Sequence, residues 1–322
     1  MEHIRYGILS TSSIAPRFIA AVREAEAGEI AALSSRSLEK AREKAAEWDI
    51  PAAYGGHQAL LDDPAVNTVY ISTVNAQHYP WARAALEQGK HVVCEKPCTT
   101  SAAATRELFR LAREKGLFLM EAEKMLFLPA VEAVRDRIQR GELGRIHMAE
   151  FRHSFPAAYN GWMYDEAAGG GPLLSSAIYV MELVLWLFGG IRRCGGLATP
   201  MGNGVEAQYV LSGETESGVL FTAQNSTLAM LQNGARIYGE KGWIDLPDYW
   251  KARRAVFHIQ GRAAETMEFP CEHELVYEAR HIAECLRAGR LNSPVVTEEL
   301  SVAAISVLEE IREAWRRTLP GA

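Results

Sequence analysis

Short β-branched runs alternate with amphipathic helical segments over the first 122 residues, and this alternation restricts the fold more than any other feature of the chain. Strands are expected at 4–9, 29–35, 68–71, 91–94 and 118–122, with helices at 14–26, 38–48, 78–88 and from Thr100 or Ser101 to Lys115. Strands that recur with a helix between them form a parallel sheet covered on both faces, an α/β doubly wound arrangement. Ser37 is a suitable cap for the second helix, and Gly89 ends the third.

The pattern changes after 146. Period-two runs separated by turn residues occupy 146–155, 205–211, 219–225 and 235–238, with weaker runs at 255–260 and 266–269. Helices at 129–140, 173–188, 274–288 and 298–317 accompany them. This describes an α+β domain with an open, mostly antiparallel sheet, one face covered by helices and the other available to a partner. The division is therefore a dinucleotide-binding domain over 1–122 and a substrate-binding and oligomerisation domain over 123–322. A chain of 322 residues is long for a single core, in keeping with two domains.

Composition excludes several classes. With 48% hydrophobic and 23% charged residues the chain reads as an ordinary soluble protein. A net charge of −6 without a long basic cluster argues against nucleic-acid partners. Five scattered cysteines suit reduced thiols, so a cytoplasmic location is expected. A strand from Ile4 leaves no room for a signal peptide. The most apolar helix, 177–188, carries Glu182 and is expected to be too short to cross a membrane.

The chemistry concentrates at Gly89-Lys90-His91-Val92-Val93-Cys94-Glu95-Lys96-Pro97. The apolar run is a buried parallel strand, and Pro97 cannot donate to a ladder, so the strand stops there. Lys96 is left at the carboxyl end of a central strand, where open α/β sheets hold ligands. At the first strand–helix turn, where dinucleotide folds carry G-x-G-x-x-G, this chain reads Ser10-Thr11-Ser12-Ser13-Ile14-Ala15. A Cβ at Ser10 penalises a positive φ and one at Ser12 crowds a pyrophosphate. Against that, four hydroxyls surround a positive helix end that favours phosphate. The same serines would also serve a merely structural helix cap. The second strand ends Ser35-Arg36-Ser37 with no acid before Glu39, so Arg36 either forks onto a 2′-phosphate, favouring NADP over NAD, or is a solvated loop arginine.

These segments together resemble the glucose–fructose oxidoreductase, inositol dehydrogenase and rhizopine-catabolism (Gfo/Idh/MocA) family. The resemblance rests on the first turn, Ser35-Arg36, Ser72-Thr73-Val74-Asn75 with His78, and above all Glu95-Lys96-Pro97. Glu121-Ala122, Phe127-Leu128-Pro129, Gly141-Glu142-Leu143-Gly144 and Gly169-Gly170-Gly171 extend it along the chain. The branch it most resembles contains dihydrodiol dehydrogenases and NADP-dependent xylose dehydrogenases. The resemblance implies a Rossmann cofactor domain followed by an open-faced sheet domain that makes homodimer or homotetramer contacts. It also implies that Lys96 holds the substrate oxygen and shares in proton transfer, that Glu95 orients the site, and that the Lys96–Pro97 bond is cis. Residues matching Ser72, Thr73, Asn75 and His78 would line the nicotinamide side. The sequence departs from the family at Ser175, where an aspartate is usual, at Leu126, where an arginine is frequent, and in the charged segment Glu123-Lys124-Met125.

Hydride transfer at a carbinol carbon needs a group to take or give the hydroxyl proton. Lys96 and Tyr179 are the candidates. Free lysine and tyrosine titrate near ~10.4 and ~10, and a neighbouring ammonium would lower the tyrosine. Tyr179 is accordingly the acid/base and Lys96 the group that polarises the oxygen, unless Tyr179 is simply core. Ser175 lies one helical turn earlier and faces the same way. Trp162 and Tyr164 wall the substrate pocket or are loop aromatics; His78 touches the ligand or starts its helix. Cys94 with Cys98, and Cys271 with His273, lack the partner set of a zinc site. The expected function is NADP(H)-dependent oxidation or reduction of a sugar, polyol or cyclic diol. The alternatives are a cofactor-binding sensor and a redox-assisted eliminase or glycosidase.

Overall fold

A computed structural model describes residues 3–156, 161–201 and 204–318, which include every candidate site residue. The chain packs as two compact units, Met1–Lys124 with His273–Val302, and Met125–Glu272 with Ala303–Ala322.

In the first unit the elements run β1 (Arg5–Leu9), α1 (Ala15–Glu24), β2 (Glu29–Ser35), α2 (Leu38–Glu47), β3 (Ala52–Gly55), α3 (His57–Leu61), β4 (Thr68–Ile71), α4 (His78–Glu87), β5 (His91–Glu95), α5 (Ala102–Lys115) and β6 (Leu119–Ala122). All six strands are parallel, in the order β3-β2-β1-β4-β5-β6. This is the doubly wound order whose direction reverses between β1 and β4. Central β4 is buried throughout, which its unbroken Thr-Val-Tyr-Ile run foretells. Ser37 and Ser101 accept the N3 N–H groups of α2 and α5. Edge strand β3 and the short α3 were not expected. Ala-Ala-Tyr-Gly has little strand propensity, and an edge strand needs little.

The second unit begins with α6 (Pro129–Gln139) and β7 (Ile146–Ser154), followed by α7 (Ile178–Phe188), β8 (Ile191–Pro200), β9 (Glu206–Thr215), β10 (Leu220–Ser226), β11 (Gly234–Gly239), β12 (Gly242–Pro247), β13 (Arg254–Ile259) and β14 (Glu265–Glu268). The strands form one sheet, β14-β13-β12-β11-β7-β10-β9-β8, antiparallel except where β10 runs parallel to β7. Strands β8 and β12 were missed because glycines or a proline interrupt their runs. Inward residues such as Phe151, Phe221, Ile237, Ile244 and Phe257 are fully buried. The other face carries a row in register: Leu220, Met148, Tyr238, Trp243 and His258.

Two helices complete the chain, α8 (Val276–Arg287) and α9 (Glu298–Thr318). Helix α8 lies in the stretch read from sequence as part of the second domain, yet it packs on α1 in the first unit. Its apolar face, Val276, Ala279, Ile282, Ala283 and Leu286, does not say which core it will join.

One expectation needs correction. The apolar stretch ending in α7 is longer than 177–188: Glu166–Phe188, 23 residues, reaches membrane-spanning size by length and composition, although the backbone turns at Gly169 and Gly171 (φ +75° and +101°) before the π turn begins. Because 78% of its apolar window is buried inside the protein, it is a core segment.

Candidate active site

In the first unit the candidate residues follow the carboxyl ends of the strands. Ser10 to Ile14 follow β1, Arg36 follows β2 just after its last residue Ser35, Ser72 to Asn75 follow β4, and Lys96 follows β5. A parallel sheet presents these ends along one edge, and β1 and β4 flank the crevice where the strand order reverses.

The turn after β1 keeps the geometry of a glycine turn without its glycines. Ser10 has φ +106°, a conformation that costs a residue with a Cβ on the order of 1–3 kcal/mol. Part of that cost is offset locally. The Ser10 N–H donates to Ser34 O (3.1 Å), and Ser10 Oγ accepts from Ser12 N (3.1 Å). Ser12 Oγ donates to Ser72 Oγ (2.9 Å), tying the β1 and β4 turns together. None of the serines caps α1, whose N-cap is Ile14 and which has proline in its first turn and no acid there. Among the described residues, nothing accepts the Ser13 and Ile14 N–H groups. A helix end with donors unspent fits a dinucleotide phosphate, and the hydroxyls of Thr11 and Ser13 add to it. At the end of β2, Arg36 is exposed while Ser35 is buried. His57 Nδ1 lies 2.8 Å from Ser34 Oγ, and burial together with the nearby Arg36 guanidinium pushes its imidazole below the ordinary range.

The turn after β5 is held at three points. Tyr70 Oη donates to Glu95 Oε1 (2.5 Å). His78 places Nδ1 2.8 Å from the Pro97 carbonyl and Nε2 3.1 Å from that of Thr73. Glu121 accepts the Cys98 N–H (2.7 Å). The Lys96–Pro97 bond is cis. Lys96, partly buried, thus sits on a turn fixed from two strands and a helix. His78 is a positioning group here, since both its ring nitrogens face backbone carbonyls. Burial holds its imidazole below the usual range, although those carbonyls pull the other way. Tyr70 stacks on Phe18 at 3.7 Å, and burial, then Glu95, push its phenol well up. Behind Glu95 stands Glu278 of α8, fully buried, its carboxyl raised well above the usual range by burial and by the charges of Glu95 and Glu123.

In the second unit, Trp162 and Tyr164 belong to a single 3-10 turn, Gly161–Tyr164, and both are partly buried. The triple glycine exists for close approach: a Cβ on Gly170 would lie 2.5 Å from Met163 O and 2.7 Å from Trp162 O. A π turn, Leu173–Ala177, then leads into α7, and such turns are frequent at functional sites. Ser175 Oγ donates back to Gly171 O (2.9 Å). Tyr179, buried, comes two residues after the π turn. An aromatic cluster that the sequence reading did not single out ends β7: His153 stacks on Trp250 at 3.7 Å and meets Phe155 edge-on at 4.6 Å. Nothing in a lone Phe-Arg-His-Ser-Phe run announces it. Among the described residues, no group of three His, Cys, Asp or Glu side chains is placed to hold a metal.

The family model described as "Oxidoreductase family, NAD-binding Rossmann fold" matches residues 4–123, and that of the "GFO/IDH/MocA C-terminal domain" matches 131–245. Trans-1,2-dihydrobenzene-1,2-diol dehydrogenases from Bos taurus and Homo sapiens are each 33% identical, over 98% of this chain and 98% of theirs. The chain belongs to the GFO/IDH/MocA oxidoreductase family. As a member of that family it is an NAD(P)-dependent dehydrogenase/reductase acting on hydroxyl groups. Solved structures agree on the fold. A 3-ketoreductase from Actinomadura kijaniata, in complex with NADP and TDP-benzene, superposes with TM-score 0.89 at 24% identity over 97% of this chain and 98% of its own. Aldose-aldose oxidoreductase from Caulobacter crescentus, complexed with glycerol, gives 0.88 at 23% identity over 98% of both chains.

Two of the residues that hold this family member's β5 turn, Tyr70 and Glu121, carried no role in the sequence reading. Each sits in a strand, where a polar group passes for core or for a strand end. Only the neighbouring strand shows what it holds.

Proposed function

We propose that the protein is an NADP(H)-dependent oxidoreductase that moves a hydride between the nicotinamide and a hydroxyl or carbonyl carbon of a sugar, polyol or cyclic diol. The observation that carries this reading is the contrast along one sheet edge: a helix end with donors unspent after β1, and a rigidly held Lys96 after β5. The dinucleotide phosphates would lie against Ser10, Thr11, Ser12, Ser13 and Ile14. Arg36 with Ser35 would take a 2′-phosphate, and Ser72, Thr73, Asn75, His78, Glu95 and Lys96 would border the nicotinamide. When bound, that ring supplies the hydride donor or acceptor.

In this reading the chain handles the proton. Tyr179 takes it from a substrate hydroxyl or returns it to a carbonyl, while the Lys96 ammonium polarises the oxygen and favours the phenolate. Trp162 and Ser175 belong to the substrate side. The names of the curated relatives support a diol substrate, and the polyol and sugar titles among the structural neighbours support the wider class. A cytoplasmic setting suits five cysteines that form no disulfide. Parallel fluorescence titrations with NADPH and NADH test the cofactor half, with NADPH expected to bind tighter. A carbonyl and alcohol panel followed at the reduced-nicotinamide absorbance tests the rest. Binding without turnover would leave a sensor in place of an enzyme.

We also propose that two copies pair through the open sheet face. That face shows the row from Leu220 to His258 and, four residues further along β10 at the level of Gln224, Leu197 (80% exposed) opposite Val210 (54%). A charged row runs between the two levels, in which Arg236 pairs with Asp245. A surface both apolar and doubly charged can complement a second copy of itself. Light scattering should give a dimer, and Met148→Asp with Leu220→Asp a monomer. A wild-type monomer at micromolar concentration overturns the pairing.

A further inference from the structure

The second unit holds an acid that the proposed chemistry leaves unused. Glu206, the first residue of β9, reaches the beginning of the helical run that carries Tyr179. Its Oε1 accepts the Leu173 N–H, the first of the π turn. Gly171, with φ +101°, is what lets it come so close, since a Cβ there would stand 2.9 Å from Glu206 Oε1. The carboxyl lines a cavity of about 40 Å³ shared with Leu174, Trp315 and Arg312. A space of that size admits water, which keeps the acid in proton exchange with solvent.

We propose that Glu206 is a positioning residue: as a carboxylate backed by Arg312 it fixes the π turn that presents Ser175 and Tyr179, and its protonation loosens that turn. The inference rests on the role given to Tyr179 above. The groups that face Glu206 come from three elements among the described residues. Arg312 of α9 favours its charge, and Glu166 of the 3-10 turn Glu166–Ala168 opposes it, itself paired with Arg316. Tyr209, from β9 itself, is also within electrostatic reach. Burial outweighs the rest and pushes the Glu206 carboxyl up to about 7, so the change of state falls within the physiological range. An ionised acceptor holds an N–H about twice as strongly as a neutral one. Above that pH the turn is therefore held, and below it the hold weakens.

Two measurements test this. The first is kcat at saturating substrate and cofactor across about pH 6 to 8.5 for the wild type, Glu206→Gln and Arg312→Met. The wild type should lose about three- to tenfold as pH falls through 7. Glu206→Gln should be flat across that step, low at the alkaline end and equal to the wild type at the acid end, with the KM for NADPH unchanged. Arg312→Met should move the step to higher pH, because it removes the charge that favours the carboxylate. The second is hydrogen exchange over 171–177 without substrate, corrected for intrinsic rate, in which protection should follow the same step and vanish in Glu206→Gln. A Glu206→Gln profile that keeps the wild-type step, or protection that ignores pH, overturns the inference. Tyr179→Phe separates the two ideas. If it retains the full rate, the role of Tyr179 falls while the exchange data still judge Glu206. If it is dead and the profiles coincide, only the positioning role falls.

Discussion

The turns after β1 and β5 lie on the same edge of the same sheet and are built by opposite means. The β5 turn is immobilised by side chains from outside it, with Tyr70, His78 and Glu121 each holding one residue. The β1 turn is held mostly by its own serines and by the Ser12–Ser72 contact, with Ser10 in a conformation that favours glycine. The difference suits the tasks proposed for them. A group that must meet a reacting oxygen gains from being fixed in advance, because orientation lost during reaction raises the barrier. A loop that wraps a phosphate gains from keeping its donors unspent until the anion arrives.

The contrast can be broken most sharply at Lys96. Lys96→Met should reduce turnover by about 10²–10⁴-fold and leave NADPH affinity within a few fold of the wild type. Comparable loss of affinity by titration would mean that the β5 turn binds as much as it reacts. Next in size is Arg36→Ala, which should weaken NADPH about 10- to 100-fold through a lost charged hydrogen bond while sparing NADH. Equal weakening of both cofactors would remove the 2′-phosphate assignment. The holding of the β5 turn is tested by His78→Phe, which removes the one ring N–H that the neutral imidazole can give to the Pro97 or Thr73 carbonyl. Thermal or urea unfolding should show a loss of about 1–3 kcal/mol, with kcat falling more than NADPH affinity. A variant of undiminished stability would show that the turn does not need its side-chain support. The smallest change is expected from Ser10→Gly, where relief at φ +106° is set against a lost Ser10–Ser12 bond and a more flexible unfolded chain. A net change in stability within about 1 kcal/mol, measured by the same unfolding, would confirm that the serine turn carries its strain with local compensation.

Much of the first unit was legible in the linear chain. Residues 29–35 and 68–71 coincide with β2 and β4, and Ser37 and Ser101 cap the helices they precede. Those signals are local: a buried run, a side-chain oxygen three residues before an N–H, a proline that ends a ladder. The second unit was less legible. Edge strand β8 hides behind Arg-Arg-Cys-Gly-Gly, and the π turn reads as ordinary helix, since nothing in Leu-Leu-Ser-Ser-Ala encodes a wider turn. Glu206 opens an exposed-looking strand, and only the fold shows that it meets Leu173, more than thirty positions away in the chain.

By itself, then, the amino-acid order determined the strand–helix alternation, the parallel sheet that follows from it, and the placing of Lys96 and the serine turn at strand ends. These depend on periodicity and on residues that cannot continue a strand, and both act over a few positions. Tertiary structure alone decided which groups hold that lysine's turn, which core α8 joins, and that Glu206 meets the start of the run bearing Tyr179. Those outcomes turn on contacts between segments far apart in sequence, where burial sets both the partner of a polar group and its charge, and no local pattern records either.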